Sequence, residues 1–487
     1  MSTTIETVPM TIGGERQLAS SGDTIETTNP ATGEPIARFP RSGAADVDAA
    51  VAAAKQAFPA WRATPPLQRA AAVNAIADVV EANAEELAEL DVADNGSPIR
   101  EMRNDSGLAT FLLRYFAGLA LELRGQTIPG ESGRVNYTLQ EPFGVVGKIV
   151  PFNHPMMFAA SKIAAPLVAG NTVVLKPSEH TSLSTLRLGE LLSEVLPPGV
   201  LNIVTGYGQE AGDALVTHPD VGRLAFIGSV EIGRSIQERA ASSGVKTVTL
   251  ELGGKNPIVV FSEANLDDAV EAVVRGMNFT WQGQSCGSCS RVLIQDDIHD
   301  EFVGRLAETI SELRSGMPDD EATDTGAIVH RGQFEKVKSY IELGRAEGAR
   351  VVAGGGAPDD PVLERGMFVR PTLFDGVRPD MRLANEEIFG PVLAAMRFAD
   401  YNEALEIANG VSYGLSASVF TRDLETAHSF ARDVQAGYVW VNDAARHFPG
   451  TPFGGVKDSG IGREEGVEEL YSYAQPKNVN IRFGDSR

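Results

Sequence analysis

Between residues 145 and 250 the chain alternates short apolar runs with helical stretches at a regular spacing, and no other feature limits its possible folds as much. Val145-Val146-Gly147-Lys148-Ile149-Val150 is a short strand of the kind buried on both faces. A helix over 156–168 follows it, then the strand Thr172-Val173-Val174-Leu175 and a helix over 183–195. Leu201-Asn202-Ile203-Val204, a helix from Gln209, Leu224-Ala225-Phe226-Ile227, a helix from Glu231 and Val248-Thr249-Leu250 continue the series. Strands joined through helices predict an α/β fold with a doubly wound parallel sheet covered on both faces. Ligands of such sheets sit outside the carboxyl ends of the strands. Asn153, Lys176, Gly228 and Glu251 fall at or just past those ends.

The pattern restarts at Ile258-Val259-Val260-Phe261, with helices over 266–277 and 298–314 around a strand at 291–294, which predicts a second α/β domain. Upstream, Ala44 to Phe58 and the series Leu67, Ala71, Ile76, Val79, Val80, Leu87 and Leu90 read as helices packed on a sheet. Tyr137-Thr138-Leu139-Gln140 and Val479-Asn480-Ile481-Arg482 read as strands with no partner in either domain. An unpaired edge tends to be covered, so a subunit interface is expected there.

At 487 residues the chain exceeds one ordinary core and should divide into two or three domains. Its 43% apolar and 22% charged content is that of a soluble globular protein. The net charge of −23 excludes nucleic acid and anionic membrane as expected partners. The best membrane-span candidate, Phe152 to Gly170, contains Asn153, His154, Ser161 and Lys162, so it reads as a buried helix. Met1 to Gly14 has neither a basic start nor an apolar run, so no secretory leader is expected. Two cysteines in the whole chain point to a reducing compartment, the cytoplasm.

Cys286 lies in Gly283-Gln284-Ser285-Cys286-Gly287-Ser288-Cys289, downstream of Leu250-Glu251-Leu252-Gly253-Gly254. The first offers a thiol nucleophile and the second a carboxylate base. Asn153, in Pro151-Phe152-Asn153-His154-Pro155, adds an amide able to hold an oxyanion. These are the groups needed to oxidise a carbonyl through a covalent thioester. Two glycine-bearing turns compete for a dinucleotide pyrophosphate. Gly206-Tyr207-Gly208-Gln209-Glu210-Ala211 has the fingerprint form, and Gly228-Ser229 opens a helix whose N–H groups suit an anion. Lys176 and Glu179, in Lys176-Pro177-Ser178-Glu179, suit ribose hydroxyls, and Glu179 would repel a 2′-phosphate, favouring NAD over NADP. The Cys286/Cys289 spacing lacks the further ligands of a zinc site, and no metal-ligand spacing occurs among the seven histidines, so no metal is expected. A reversible disulfide between these two cysteines would spare the nucleophile from over-oxidation.

Taken together, these motifs resemble the aldehyde dehydrogenase superfamily from about residue 20 to about 475. Glu386-Glu387-Ile388-Phe389-Gly390-Pro391 and Pro452-Phe453-Gly454-Gly455 complete the set. The resemblance implies a non-acylating oxidation of a small aldehyde to its acid with NAD, NADP being less favoured. It implies that Cys286 is the nucleophile, that Asn153 and the Cys286 N–H form the oxyanion hole, and that Glu251 activates water. Lys176 and Glu179 would hold the adenosine ribose, Gly228 and Ser229 the pyrophosphate, and Glu387 the nicotinamide ribose. Phe389 would lie against the nicotinamide, with Phe152, Gly208 and Leu252 also at the cofactor. The implied division is a dinucleotide-binding domain over 1–123 and 143–252, a catalytic domain over 253–470, and an oligomerisation arm over 124–142 and 471–487, in a homodimer or homotetramer.

Some residues depart from common family forms. Trp281 precedes the nucleophile where smaller polar residues are frequent. The positions of the aromatic box that would enclose a quaternary ammonium fall at His154, Ser161 and Phe453, so that substrate is not expected. Arg446 or His447, in the expected entrance loop, would favour an anionic or polar tail.

Overall fold

In the computed structural model, which describes residues 5–483, Val145–Ile149 lies inside an eight-stranded sheet. The outermost residues of the expected domain and arm ranges, 1–4 and 484–487, lie outside the described residues. Thr172–Lys176 and then Leu201–Ile203 pair on one side of the Val145 strand, and Val221–Gly228 and then Thr247–Leu252 on the other, all parallel. The chain therefore winds outward in both directions from Val145–Ile149, and a crevice opens at the reversal, past the ends of Val145–Ile149 and Val221–Gly228. Short antiparallel strands close the edges: Met10–Ile12 and Glu15–Gln17 on one side, Gly460–Ile461 against Leu250 and Glu251 on the other. Strands of two or three residues carry too little periodicity to be read from sequence.

Two local expectations change. The helix expected over 156–168 is two helices, Pro155–Ser161 and Ala164–Val168. Pro166 has no N–H to give the Lys162 carbonyl, and the break lets Lys162 turn inward to Glu464. The helix from Gln209 opens as a π-helical turn, Gly208–Gly212, before Asp213–Thr217.

The second sheet has seven strands in the order Arg350–Ala353, Thr372–Asp375, Val392–Phe398, Arg291–Gln295, Pro257–Val260, Ser416–Phe420, Tyr438–Val441. All pair in parallel except Arg350–Ala353. Its side chains alternate between two cores, as period-two geometry requires. Ile258, Val260, Val292 and Ile294 pack with the helices Leu266–Gly276 and His299–Ser311. Val259 and Leu293 pack on the other face with Val337, Ala404 and Phe430 of three further helices.

The two strands without apparent partners find each other. Arg134–Pro142 and Ala474–Arg482 pair antiparallel from Pro142↔Ala474 to Arg134↔Arg482, with Thr127–Ile128 alongside. This largely exposed three-stranded ribbon stands apart from both sheets. Among the described residues, no helix is long and apolar enough to cross a membrane.

Candidate active site

The carboxyl end of the first sheet faces the loops that lead into the second. Glu251 is the penultimate residue of Thr247–Leu252, and Cys286 sits in the loop before Arg291–Gln295. Two cavities meet at this pair. One, of about 130 Å³, lies at the crevice and includes Phe152, Asn153, Gly228, Ser229, Glu387 and Phe389 in its wall. The other, of about 160 Å³, is bounded by His154, Phe158, Trp281, His447 and Phe453, among others. Glu251 and Cys286 belong to both walls. A group bound on either side thus meets the same thiol and carboxyl.

The loop that carries Cys286 is held by amides. Asn256 Nδ2 donates to the Cys286 carbonyl at 2.8 Å and to the Ser288 carbonyl at 3.0 Å, while its Oδ1 accepts from Ser416 N. Gln284 Oε1 accepts from Val329 N, and its Nε2 donates to Gln282 Oε1. Gln282 and Gly283 both adopt positive φ, 54° and 66°, which turns the chain sharply before Cys286. Gly283 is required there, since a Cβ would overlap the Gly390 carbonyl. Asn95 Nδ2 donates to the Phe152 carbonyl at 2.6 Å and fixes the neighbour of Asn153.

Glu251 is buried, and its Oε1 has no hydrogen-bond partner among the described residues. Burial and the Glu464 carboxylate push its pKa up to about 8, against the lowering effects of the Cys286 thiol and the Lys162 ammonium. Lys162 Nζ pairs with Glu464 Oε2 at 2.8 Å. Despite its burial, Glu464, Glu469 and Glu465 hold Lys162 charged, well above the usual lysine range. Burial and the facing Glu251 push the Cys286 thiol well above its ordinary range. The resting pair is therefore thiol and carboxylic acid, with little of either charged form at neutral pH.

On the crevice side, Glu387 Oε1 accepts from Gly254 N at 2.9 Å. A Cβ on Gly253 would overlap the Glu387 carboxylate and one on Gly254 the Asn256 side chain, which accounts for the double glycine after Leu252. Phe389 has φ 58°, and Gln333 Nε2 holds it there by donating to the Ile388 and Phe389 carbonyls. The Phe152 ring meets Phe389 edge-on at 5.6 Å and His330 at 5.7 Å, and His330 stacks on His180 at 3.9 Å. Ser229 caps the helix Val230–Ser243, so a helix N-terminus opens onto the crevice.

Eight of the sequence-predicted residues thus line one cavity: Phe152, Asn153, Gly228, Ser229, Glu251, Cys286, Glu387 and Phe389. Lys176, Glu179, Gly208 and Leu252 are not in its wall. Lys176 Nζ lies 3.7 Å from Glu179 Oε2 and donates to the Pro177 carbonyl, and the turn Gly208–Gly212 packs on the Lys176 stem at Gly212. Leu252 packs under Gly233. Gln333, Lys336, Asn256, Lys162 and Glu464 were not singled out from sequence. A lone amide or ion pair between distant segments leaves no local pattern to find.

Arg446 is exposed and absent from the cavity walls, whereas His447 reaches the wall of the second cavity. Cys289 is fully buried in the apolar core of the second sheet, where burial pushes its thiol up to about 12. Such a thiol is a packing residue and not a redox partner of Cys286. Of the three box positions, His154 and Phe453 line the cavity, while Ser161 is buried and donates to the Met157 carbonyl at 2.6 Å.

The Aldehyde dehydrogenase family model matches residues 18–479. Aldehyde dehydrogenase tropH of Talaromyces stipitatus is 45% identical over 479 residues, 97% of this chain and 92% of that protein. The crystal structure of PnpE from Pseudomonas sp. WBC-3 superposes with a TM-score of 0.96 at 42% identity, covering 99% of each chain. An NAD⁺ complex of aldehyde dehydrogenase from Bacillus cereus gives 0.95 at 40% identity, over 98% of this chain and 97% of that one. A thiol and a carboxyl set between two facing cavities are what such a reaction needs, and the chain belongs to the aldehyde dehydrogenase family, oxidising aldehydes to carboxylic acids with a nicotinamide cofactor.

Proposed function

We propose that Cys286 is the nucleophile of an NAD-dependent oxidation and Glu251 the base that hydrolyses its acyl form. The observation that carries this reading is the position of both groups on the wall common to the crevice and the second cavity. The Cys286 thiol gives its proton to solvent water, and the freed sulfur electron pair bonds to the aldehyde carbon. The carbonyl oxygen gains negative charge, which the Asn153 amide and the Cys286 N–H stabilise. The nicotinamide, when bound, accepts hydride from this carbon. Glu251, in its ionised form, then takes a proton from water. The hydroxide adds to the thioester carbon, the C–S bond breaks, and the carboxylic acid leaves while the sulfur regains its electron pair.

The chain's donor set fits the cofactor. The Ser229-capped helix N-terminus suits the pyrophosphate, with the Gly208 turn beside Lys176 as the alternative. Lys176 and Glu179 suit the adenosine ribose, and the Glu179 carboxylate next to Lys176 disfavours a 2′-phosphate, hence NAD over NADP. Glu387 would take the nicotinamide ribose, Phe389 and Phe152 would flank the ring, and Leu252 would support the crevice from below. We read the first sheet as the core of the cofactor domain, the second as that of the catalytic domain, and the exposed ribbon as the arm of a homodimer or homotetramer in the cytoplasm.

The test is reduced-cofactor absorbance with NAD and with NADP over a panel of aldehydes, with Cys286→Ala alongside. NAD-dependent turnover to the free acid, abolished in the variant, is the expected result. An acyl-CoA product formed only with added CoA, or turnover that survives Cys286→Ala, would overturn it.

A further inference from the structure

The second cavity has charged residues on its walls, but each is already committed. Asp105 Oδ2 lies 2.8 Å from His154 Nδ1. Glu465 Oε2 lies 3.0 Å from His447 Nδ1, and Glu464 is paired with Lys162 at 2.8 Å. Glu251 is a neutral acid at rest, its carboxyl pushed up to about 8 by burial and Glu464. A carboxylate tail entering this space would meet no unpaired cation in the wall and would be desolvated without a countercharge. Negative charge is therefore disfavoured.

Uncommitted hydrogen-bonding groups remain. The Trp281 indole N–H is buried and has no partner among the described residues. Leaving such a donor unpaired is unfavourable, so a ligand that accepts from it gains by comparison with one that does not. Its ring lies 5.4 Å from that of His154, centroid to centroid, and both rings line the cavity. A carboxylate only accepts, so the His154 nitrogen facing Asp105, Nδ1, carries a proton, and in the neutral tautomer Nε2 keeps its lone pair as an acceptor. One wall thus offers a donor and an acceptor side by side, and a hydroxyl group satisfies both at once. The rest of the wall is apolar, with Leu108, Met157, Phe158 and Phe453. At about 160 Å³ the space matches the roughly 150 Å³ that holds a benzene-sized guest.

We propose that this enzyme prefers compact aldehydes whose tail carries an uncharged hydroxyl, the hydroxyl oxygen accepting from Trp281 Nε1–H and its hydrogen donating to His154 Nε2. The proposal rests on Cys286 and Glu251 marking the reacting end of the same cavity. Selection follows from the mismatch: an alkyl tail of equal size leaves the indole N–H and the imidazole lone pair both desolvated and unpaired.

The experiment compares kcat/KM for 3- and 4-(hydroxymethyl)benzaldehyde with the corresponding ethylbenzaldehydes, with 4-formylbenzoate as the anionic control. The wild-type enzyme should favour a hydroxymethyl compound over its ethyl counterpart at least about tenfold, with 4-formylbenzoate the poorest. Trp281→Phe keeps an aromatic ring while removing the donor together with part of the indole; the lost volume is common to both substrates, so the hydroxymethyl-to-ethyl ratio should fall toward one. Both substrates are read on the same preparation, so partial misfolding cancels from the ratio. A wild-type ratio near one, a ratio unmoved by Trp281→Phe, or fastest turnover of 4-formylbenzoate would overturn the proposal while leaving the aldehyde oxidation intact. No oxidation of any of these aldehydes, nor of simple alkanals, would instead overturn the reaction assigned to Cys286.

Discussion

Turnover should rise with pH through about 8, because the carboxyl proposed as the hydrolytic base, Glu251, is held protonated below that. Glu251 moves from an ordinary 4.5 to about 8, chiefly through burial and then through Glu464. At about 1.4 kcal/mol per pH unit this is roughly 5 kcal/mol in favour of the neutral acid. The folded pKa is raised, so the active, ionised fraction grows as pH increases. It is about one-tenth at pH 7, half at pH 8 and nine-tenths at pH 9, which makes the rate of thioester hydrolysis rise roughly fivefold between pH 7 and 8 and about twofold above that. Stopped-flow absorbance separates the steps, since hydride loss comes before hydrolysis. Glu251→Gln should still release about one reduced cofactor per active site in a burst, while steady turnover falls by about 10²–10⁴. Glu464→Gln removes the carboxylate that pushes Glu251 upward and keeps the Lys162 cation that pulls it down, so the midpoint should move below that of the wild type. A steady rate flat from pH 6.5 to 9 behind an undiminished burst would refute the assignment of Glu251. A midpoint that stays in place in Glu464→Gln would refute the electrostatic account of it.

Three further substitutions probe separate parts of the site. Asn153→Ala removes one oxyanion donor and should lower kcat by about 10²–10³ while cofactor affinity, followed by nicotinamide quenching of protein fluorescence, changes little. Gly253→Ala places a methyl group where the Glu387 carboxylate lies; the carboxylate must shift, and KM for the cofactor should rise at least tenfold while the midpoint of thermal unfolding moves only slightly. Cys289→Ser buries a hydroxyl among apolar side chains, which should cost about 1–3 kcal/mol by denaturant unfolding and leave both the rate of peroxide inactivation and its rescue by thiols unchanged. Loss of thiol rescue in that variant would show that Cys289 does reach Cys286.

The residues that could be found from sequence share one property: each sits at a place that local pattern marks. Asn153, Gly228 and Glu251 follow the ends of apolar runs, and a parallel sheet must carry its ligand there. Cys286 stands in a glycine-rich polar loop where a buried packing cysteine would be out of place, whereas Cys289, three residues on, enters the core. The Lys162–Glu464 pair has no such marker. Lys162 lies at the break between Pro155–Ser161 and Ala164–Val168, inside the helix expected to run through it, and Glu464 arrives just past Gly460–Ile461, a two-residue strand with no period to read. The same holds for Asn256, whose amide ties Cys286 and Ser288 to Ser416 across three segments.

This divides the site along a physical line. The identity of a reacting group is a property of one residue and its neighbours in sequence. Its pKa is a property of the space around it, filled by segments that meet only after folding. Glu251 would be a carboxyl in any loop; its pKa rises to about 8 because the first sheet buries it and the stretch after Gly460–Ile461 brings Glu464 close. Relatives that keep Cys286, Glu251 and Asn153 but vary the stretch around 460–466 should therefore share the chemistry and differ in the pH at which it runs.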